Sequence, residues 1–92
     1  MVKERIRVFL VDDHTLLRNA LTMLLKGQKD IEVVGEAANA SEAIEKVCRE
    51  KPDVVLMDIS LPDFDGIEAT VNIVKALPDT KIIAVTMHAE EV

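Results

Sequence analysis

Three aspartates and one threonine stand where apolar segments of the chain end. Asp12 and Asp13 follow the run VFLV. Asp58 follows VVLM, and Thr86 follows KIIAV. Clustered carboxylates are suited to binding a hard divalent cation and to nucleophilic attack by a carboxylate oxygen. Either chemistry requires that the fold bring these residues together. The strands and helices that carry the residues therefore determine whether they form one site.

Apolar runs alternate with segments of helical period along the chain. Each run is short and rich in apolar and β-branched residues, which is typical of buried strands. Strands are therefore predicted at residues 6–11, 31–38, 53–58 and 81–86.

The three segments between these strands are predicted to be helices, at residues 15–27, 39–52 and 67–77. In the first helix one face carries four leucines, Leu17, Leu21, Leu24 and Leu25. Gly27 is placed to cap its C-terminus. Asn39 and Glu42 have the spacing of a capping box at the start of the second helix, and Pro52 ends that helix.

Strands that alternate with helices, and that lack polar interruptions, indicate a parallel sheet covered on both faces. Right-handed crossovers give the strand order 2-1-3-4. The predicted fold is therefore a doubly wound α/β domain formed by residues 1–92. Ligands of such sheets bind at the carboxyl ends of the strands, where the winding reverses. Three carboxylates and one hydroxyl are expected to converge there.

Three carboxylates in one crevice repel one another, since two unit charges about 4 Å apart cost roughly 4 kcal/mol at an effective dielectric constant of about 20. Either one acid holds a proton at neutral pH, or a cation lies between the acids. Oxygen donors favour Mg²⁺, which keeps positions for water and phosphate. The pattern then indicates phosphoryl transfer, with Asp58 as nucleophile and Thr86 as a hydrogen-bond donor. For Asp12 and Asp13 alone, the alternative is a solvated helix cap.

The composition excludes several classes of protein. With 92 residues, 49% hydrophobic and 30% charged, the chain reads as one small globular domain. Its net charge of −6 argues against direct nucleic-acid binding, which needs a basic face. The single cysteine, Cys48, rules out an internal disulfide and favours a reducing compartment. Because the first apolar run is too short for a signal peptide or a membrane span, we expect a cytoplasmic chain with no membrane contact.

The segments VDDH, DVVLMDISLPDFDG and IIAVT resemble, in this order, the signature segments of response-regulator receiver domains. They are most similar to the NarL/FixJ type, which carries a helix-turn-helix output domain. The resemblance implies a flavodoxin-like fold and a two-component signalling switch. It also implies a histidine kinase as phosphoryl donor, and DNA-binding transcription regulation in a longer parent protein.

The resemblance also assigns roles to particular residues. Asp58 matches the phosphoacceptor, and Asp12 and Asp13 match the acids that hold Mg²⁺. Asp13 would contact the ion directly and Asp12 through water, with Asp58 and the backbone carbonyl of Ser60 as further ligands. Thr86 matches the residue that moves to meet the phosphoryl group on activation.

The chain departs from the family pattern after the fourth strand. Receiver domains have a fifth strand with a lysine that pairs with the phosphoryl group, and a further helix. Those elements need roughly 30 to 35 residues at typical lengths, but only MHAEEV follows Thr86. Lys81 begins strand four at the opposite end of the sheet and is no substitute, and Met87 stands where a small residue is usual. We expect a receiver domain that is incomplete at its C-terminus.

An unpaired apolar edge at strand four would invite a partner. We therefore expect self-association through this strand, as a homodimer or by exchange of elements. The histidines are less informative. His14 has a position from which it can reach the acids, although a histidine in a first helical turn is more often simply exposed. His88 lies where the family varies residues that tune the lifetime of the phosphoryl group.

Two other functions compete with the phosphoacceptor switch. A phosphohydrolase with an aspartyl-phosphate intermediate would need a general acid two residues after Asp58, where this chain has Ser60. A non-signalling interaction or assembly module is favoured by the missing lysine. The complete acid set favours the switch, whose chemistry would be limited to self-phosphorylation and autodephosphorylation.

Overall fold

The computed structural model describes residues 5–58 and 66–85. The strands are β1 (Ile6–Val11), β2 (Ile31–Ala37), β3 (Val54–Asp58) and β4 (Lys81–Val85). The helices are α1 (Thr15–Lys26), α2 (Ala40–Glu50) and α3 (Gly66–Ala76). All seven predicted elements are therefore present in the predicted order. None of the helices in these two ranges is both long and apolar enough to cross a bilayer.

The four strands form one parallel sheet in the order β2-β1-β3-β4. This confirms the predicted doubly wound α/β fold and its strand order. The winding reverses between β1 and β3, which are hydrogen-bonded neighbours. Val11 of β1 lies opposite Met57 of β3, so both strands end at the same edge of the sheet. This register places Asp12, which follows β1, beside Asp58, the last residue of β3.

The main core lies on one face of the sheet, where α2 and α3 cover β1 and β3. Alternate strand residues point to this face, as the two-residue period of a strand requires. The side chains are fully or almost fully buried, and they include Phe9, Val11, Val55 and Met57 from the strands and Ala43, Val47, Ala69 and Ile73 from the helices. This core fixes β1 against β3, and with them the positions of the acids at their ends.

Helix α1 lies on the other face and covers it thinly. No residue of α1 is buried, and Leu24, which the sequence groups with the other leucines, is 68% exposed. Arg18 and Thr22, which are not among these leucines, are also partly buried. The other three leucines of the predicted face are partly buried as well, namely Leu17, Leu21 and Leu25. The partly buried stripe of α1 is therefore shifted by one residue at Leu24, and Arg18 within it bonds to Glu36 of β2.

Helix α2 begins with the predicted cap. The side chain of Asn39 accepts a hydrogen bond from the Glu42 N–H at 2.9 Å. The reciprocal bond differs from a standard capping box, because the Glu42 carboxylate accepts from the N–H of Ala38 at 2.9 Å rather than from Asn39. That bond, together with the one from Lys46, holds the pKa of Glu42 below its ordinary value. The cap therefore contributes a carboxylate that is stabilised in its charged form.

Candidate functional site

The carboxyl edge of the sheet gathers a compact group of acidic side chains. One carboxylate oxygen from each of Asp12, Asp13 and Asp58, and one ring nitrogen of His14, all lie within 4.8 Å of one another. The structure therefore brings together the three acids that the sequence pattern placed at strand ends. We refer to these four residues as the acidic pocket.

The three acids differ in exposure. Asp12 is 4% exposed and Asp58 is 2% exposed, whereas the side chain of Asp13 retains 38% of its accessible surface. Burial of a carboxylate is unfavourable unless hydrogen bonds or an opposite charge compensate it. The two buried acids are held by β1 and β3, and Asp13 completes the group from the solvent side.

Asp12 is fixed by a local turn. Its Oδ1 accepts a hydrogen bond from the backbone N–H of His14 at 2.7 Å, which is the pattern of an Asx turn. The Asp12 backbone N–H donates to the carbonyl of Ala37 in β2 at 3.0 Å, and its own carbonyl accepts from Arg18 Nη1. These contacts set the direction in which the carboxylate points.

The His14 ring lies against all three acids. Nδ1 is 2.9 Å from Asp12 Oδ1, 3.0 Å from Asp13 Oδ1 and 3.8 Å from Asp58 Oδ2. The hydrogen bond to Asp12, and next the charge of Asp13, raise the pKa of His14 above its ordinary value. The sequence favoured a plainly exposed histidine. The side chain is 58% exposed, yet its ring reaches the acids.

Arg18 supports the site, and the sequence analysis missed it. Its Nε lies 2.6 Å from Glu36 Oε1, and its Nη1 donates to the Asp12 carbonyl. One guanidinium therefore joins α1, β2 and the end of β1. No motif marks this arginine in the sequence, because its partners depend on how α1 packs. The sequence predicts only that Arg18 lies in the first turns of the helix. There its N–H donates to the carbonyl of His14 at 2.9 Å.

An apolar pocket adjoins the acids between α1 and the sheet. Its volume is about 90 Å³. The lining consists of the two buried acids and five apolar residues, Leu10, Val11, Leu21, Leu56 and Val85. Asp12 and Asp58 therefore border hydrocarbon on one side. A low-dielectric boundary strengthens the interaction of these carboxylates with a cation.

Two predicted site residues cannot be placed. Asp58 pairs with Val85, the last residue before Thr86. Thr86 and Ser60 lie outside the described residues, as do Met87 and His88. Their assigned roles remain predictions.

The donor set of the acidic pocket fits a hard divalent cation. Three carboxylates supply oxygen atoms within one ion's reach of each other, and Mg²⁺ is bound in proteins by such oxygens together with water. The absence of a cysteine from the group is consistent with a hard ion rather than a soft one. The same geometry leaves Asp58 as a carboxylate that can act as a nucleophile beside the ion.

A parallel sheet of order 2-1-3-4, with acids grouped where its winding reverses, defines the class of flavodoxin-like α/β domains that carry an acidic site. The family profile described as "Response regulator receiver domain" matches residues 8–92. The chain belongs to the response regulator receiver family, and it is a domain of the two-component signalling type. The predicted resemblance is confirmed.

Similar proteins agree with this assignment. The response regulator protein VraR of Staphylococcus aureus is 46% identical over 86 residues, which cover 94% of this chain and 41% of VraR. The response regulator domain of Thermotoga maritima CheB has a TM-score of 0.85 at 43% identity, over 96% of this chain and 65% of that one. A LuxR-family response regulator from Aurantimonas sp. SI85-9A1 has a TM-score of 0.84 at 38% identity, over 94% of this chain and 61% of that one. The chain thus spans about two fifths of its curated relative.

Proposed function

We propose that this domain accepts one phosphoryl group on Asp58 from a histidine kinase, in a reaction that requires Mg²⁺. The observation that carries the proposal is the acidic pocket, in which the buried Asp58 carboxylate lies within 4.8 Å of the ligand atoms of two further acids. A cation bound there would offset the repulsion between the acids and neutralise charge that develops during phosphoryl transfer.

Each residue has a defined part in this reaction. Asp13 would hold the ion directly and Asp12 through water, with Asp58 and the Ser60 carbonyl as further ligands. A bound Mg²⁺ supplies charge neutralisation on the phosphoryl oxygens. An oxygen of Asp58 attacks phosphorus, the bond between phosphorus and the kinase histidine nitrogen breaks, and the imidazole leaves with that electron pair. The Thr86 hydroxyl then donates a hydrogen bond to a phosphoryl oxygen and shifts the population of an active surface.

The output of the switch is regulation of transcription by a DNA-binding part of a longer protein. The LuxR-family relative and the greater length of VraR support this. The net charge of −6 supports an indirect role, in which this segment does not contact DNA itself. Its chemistry is limited to its own phosphorylation and dephosphorylation, so it is not an enzyme that turns over substrates. The single cysteine favours the cytoplasm as its location.

A phosphotransfer experiment tests the proposal. The chain is incubated with a phosphorylated histidine kinase domain, with Mg²⁺ or with EDTA, and intact mass reports the phosphoryl group. We expect one group per chain with Mg²⁺ and none with EDTA. Asp58→Asn should abolish the uptake, whereas the matched variant Asp53→Asn, at the other end of β3, should retain it. Uptake by Asp58→Asn would show that the assigned residue is wrong.

The same samples separate the switch from a phosphohydrolase. A phosphohydrolase would release inorganic phosphate steadily from small phosphomonoesters. The switch should give uptake of one group and then slow loss. Steady turnover by the unmodified chain that disappears in Asp58→Asn would favour the enzyme.

A second candidate activity is self-association through β4. Among the described residues β4 pairs on one side only, with β3, and Ile83 is 50% exposed. An exposed apolar edge strand is a template for a second copy of the chain. Light scattering over a wide concentration range should show a dimer, and Ile83→Lys should weaken it. A monomer at every concentration would exclude this mode.

A further inference from the structure

Helix α3 carries exposed apolar side chains on a side that does not face the core. Ile67, Val71 and Val74 are 73%, 46% and 45% exposed, and we call them the apolar stripe. Their spacing of four and then three residues places them on one side of the helix. The core is instead contacted by Ala69 and Ile73, which are buried. A surface helix usually turns polar residues to solvent, so the apolar stripe calls for an explanation.

Two charged residues border the apolar stripe in a definite order. Glu68 directly follows Ile67, and Lys75 directly follows Val74. One residue turns a helix by about 100°, so both charges lie along the same side of the stripe. The acid is in the first turn and the base is in the last turn, which suits the helix dipole. The same order makes the stripe complementary in charge to an antiparallel copy of itself.

We propose that the apolar stripe binds the same stripe of a second copy of the chain, with the two α3 helices antiparallel about a two-fold axis near Val71. Rotation about this axis brings the start of one helix beside the end of the other. Glu68 of one copy then lies beside Lys75 of the second copy, and the pair occurs twice in the dimer. A parallel arrangement would instead bring like charges together, so the charges select the antiparallel one.

The size of the contact makes this dimer weak and reversible. Attraction comes from removing the apolar stripe from water. The contact is limited to one helix of 11 residues, whereas stable interfaces usually involve about 20–30 residues on each side. Helix α3 contributes no residue to the acidic pocket, so the inference goes beyond the proposed phosphotransfer and does not rest on it. It also uses a different element from the association through β4.

Sedimentation equilibrium of the whole chain tests the interface, with Ile83→Lys present in every sample to remove association through β4. We expect a monomer–dimer equilibrium. Adding Val71→Lys places like charges near the two-fold axis and should raise the dissociation constant at least about ten-fold. The matched control is Asn72→Lys, which adds the same charge at the next exposed residue of α3, outside the stripe, and should keep the dimer. Equal losses in both variants would overturn the inference.

Charge reversal tests the antiparallel arrangement. Glu68→Lys alone, or Lys75→Glu alone, should weaken the dimer by about five-fold, because each replaces two attractive pairs with two repulsive ones. The double variant Glu68→Lys/Lys75→Glu should recover the original dissociation constant, since it only exchanges the two charges. A double variant no tighter than the single ones would overturn the antiparallel pairing. Circular dichroism checks that each variant keeps its helices.

The outcomes also identify which surface the chain uses. Association that persists in Ile83→Lys and disappears when Val71→Lys is added supports the α3 interface. A chain with Ile83→Lys that stays monomeric at every concentration would overturn the inference and would leave a different protein as the occupant of the apolar stripe.

Discussion

The two edges of the sheet treat their charged residues in opposite ways. At the amino edge, where β1 and β3 begin, Asp53 accepts the backbone N–H of Arg7 at 2.9 Å. The Arg7 guanidinium donates to the carbonyls of Glu50 and Lys51 and lies 3.5 Å from the Glu50 carboxylate. Arg7 and Asp53 therefore both have fixed hydrogen-bond partners in a neighbouring segment.

The carboxyl edge collects like charges instead. Asp12, Asp13 and Asp58 meet there, two of them buried, and the half-exposed ring of His14 lies against all three. Like charges this close repel one another, and a cation bound between them offsets the repulsion. The comparison teaches that the amino edge pairs Arg7 and Asp53 within the fold, whereas the carboxyl edge brings like charges together where a cation can bind.

The largest expected difference between the edges is the response to Mg²⁺. A free concentration 100 times the Kd should raise the free energy of unfolding by about 2.7 kcal/mol, because the ion binds the folded state. Asp13→Asn should remove most of this shift, while Asp53→Asn should leave it intact. Thermal unfolding with Mg²⁺, or with NaCl at equal ionic strength, measures the effect. An equal shift in both salts would mean that screening is its cause.

Truncation of Arg7 should weaken the amino edge alone. Arg7→Ala removes two hydrogen bonds to carbonyls and one ion pair, so we expect the free energy of unfolding to fall by about 1–2 kcal/mol. Urea denaturation measures the loss. Arg49→Ala, an exposed arginine on α2, is the matched control and should change the value by less than about 0.5 kcal/mol.

The Mg²⁺-induced shift in Arg7→Ala should equal that of the unmodified chain. A smaller shift would show that the two edges are energetically coupled and do not act independently.

The smallest expected effect is on the pH dependence of stability, and it concerns Glu42. The Ala38 N–H and Lys46 compensate the charge of this acid. Its pKa is lowered in the folded state by the Ala38 N–H and by Lys46. Its contribution to stability is therefore complete above the ordinary pKa of 4.5 and is lost as the pH falls through the lower, folded value. The unfolding midpoint of Glu42→Gln should depend less on pH in this acid range than that of the unmodified chain.

Glu45→Gln is the control for this measurement, since Glu45 lies exposed on the same helix. It should keep the acid dependence of the unmodified chain. The interpretation would be wrong if Glu45→Gln lost the pH dependence of the unfolding midpoint, or if Glu42→Gln kept it. Either result would show that the Glu42 cap does not cause this dependence.

Most of the fold and the three acids of the site were readable from the sequence. Strands and helices follow from hydrophobic period, which is a local property of the chain, and acids after apolar runs fall at strand ends. The placement of Arg18 was not readable. Its side chain is bonded to Glu36, 18 residues away, while Leu24 of the predicted apolar face is exposed.

The sequence by itself determined which residues end the strands, and with the crossover rule it determined that Asp12, Asp13 and Asp58 share one edge. Only the tertiary structure decided that the His14 ring lies on those acids. The physical reason is that strand order depends on the hydrophobic period of each segment and on the right-handed crossovers between strands. Both are properties that many residues share. The direction of one side chain depends on a few contacts between β1 and α1 that no repeated pattern encodes.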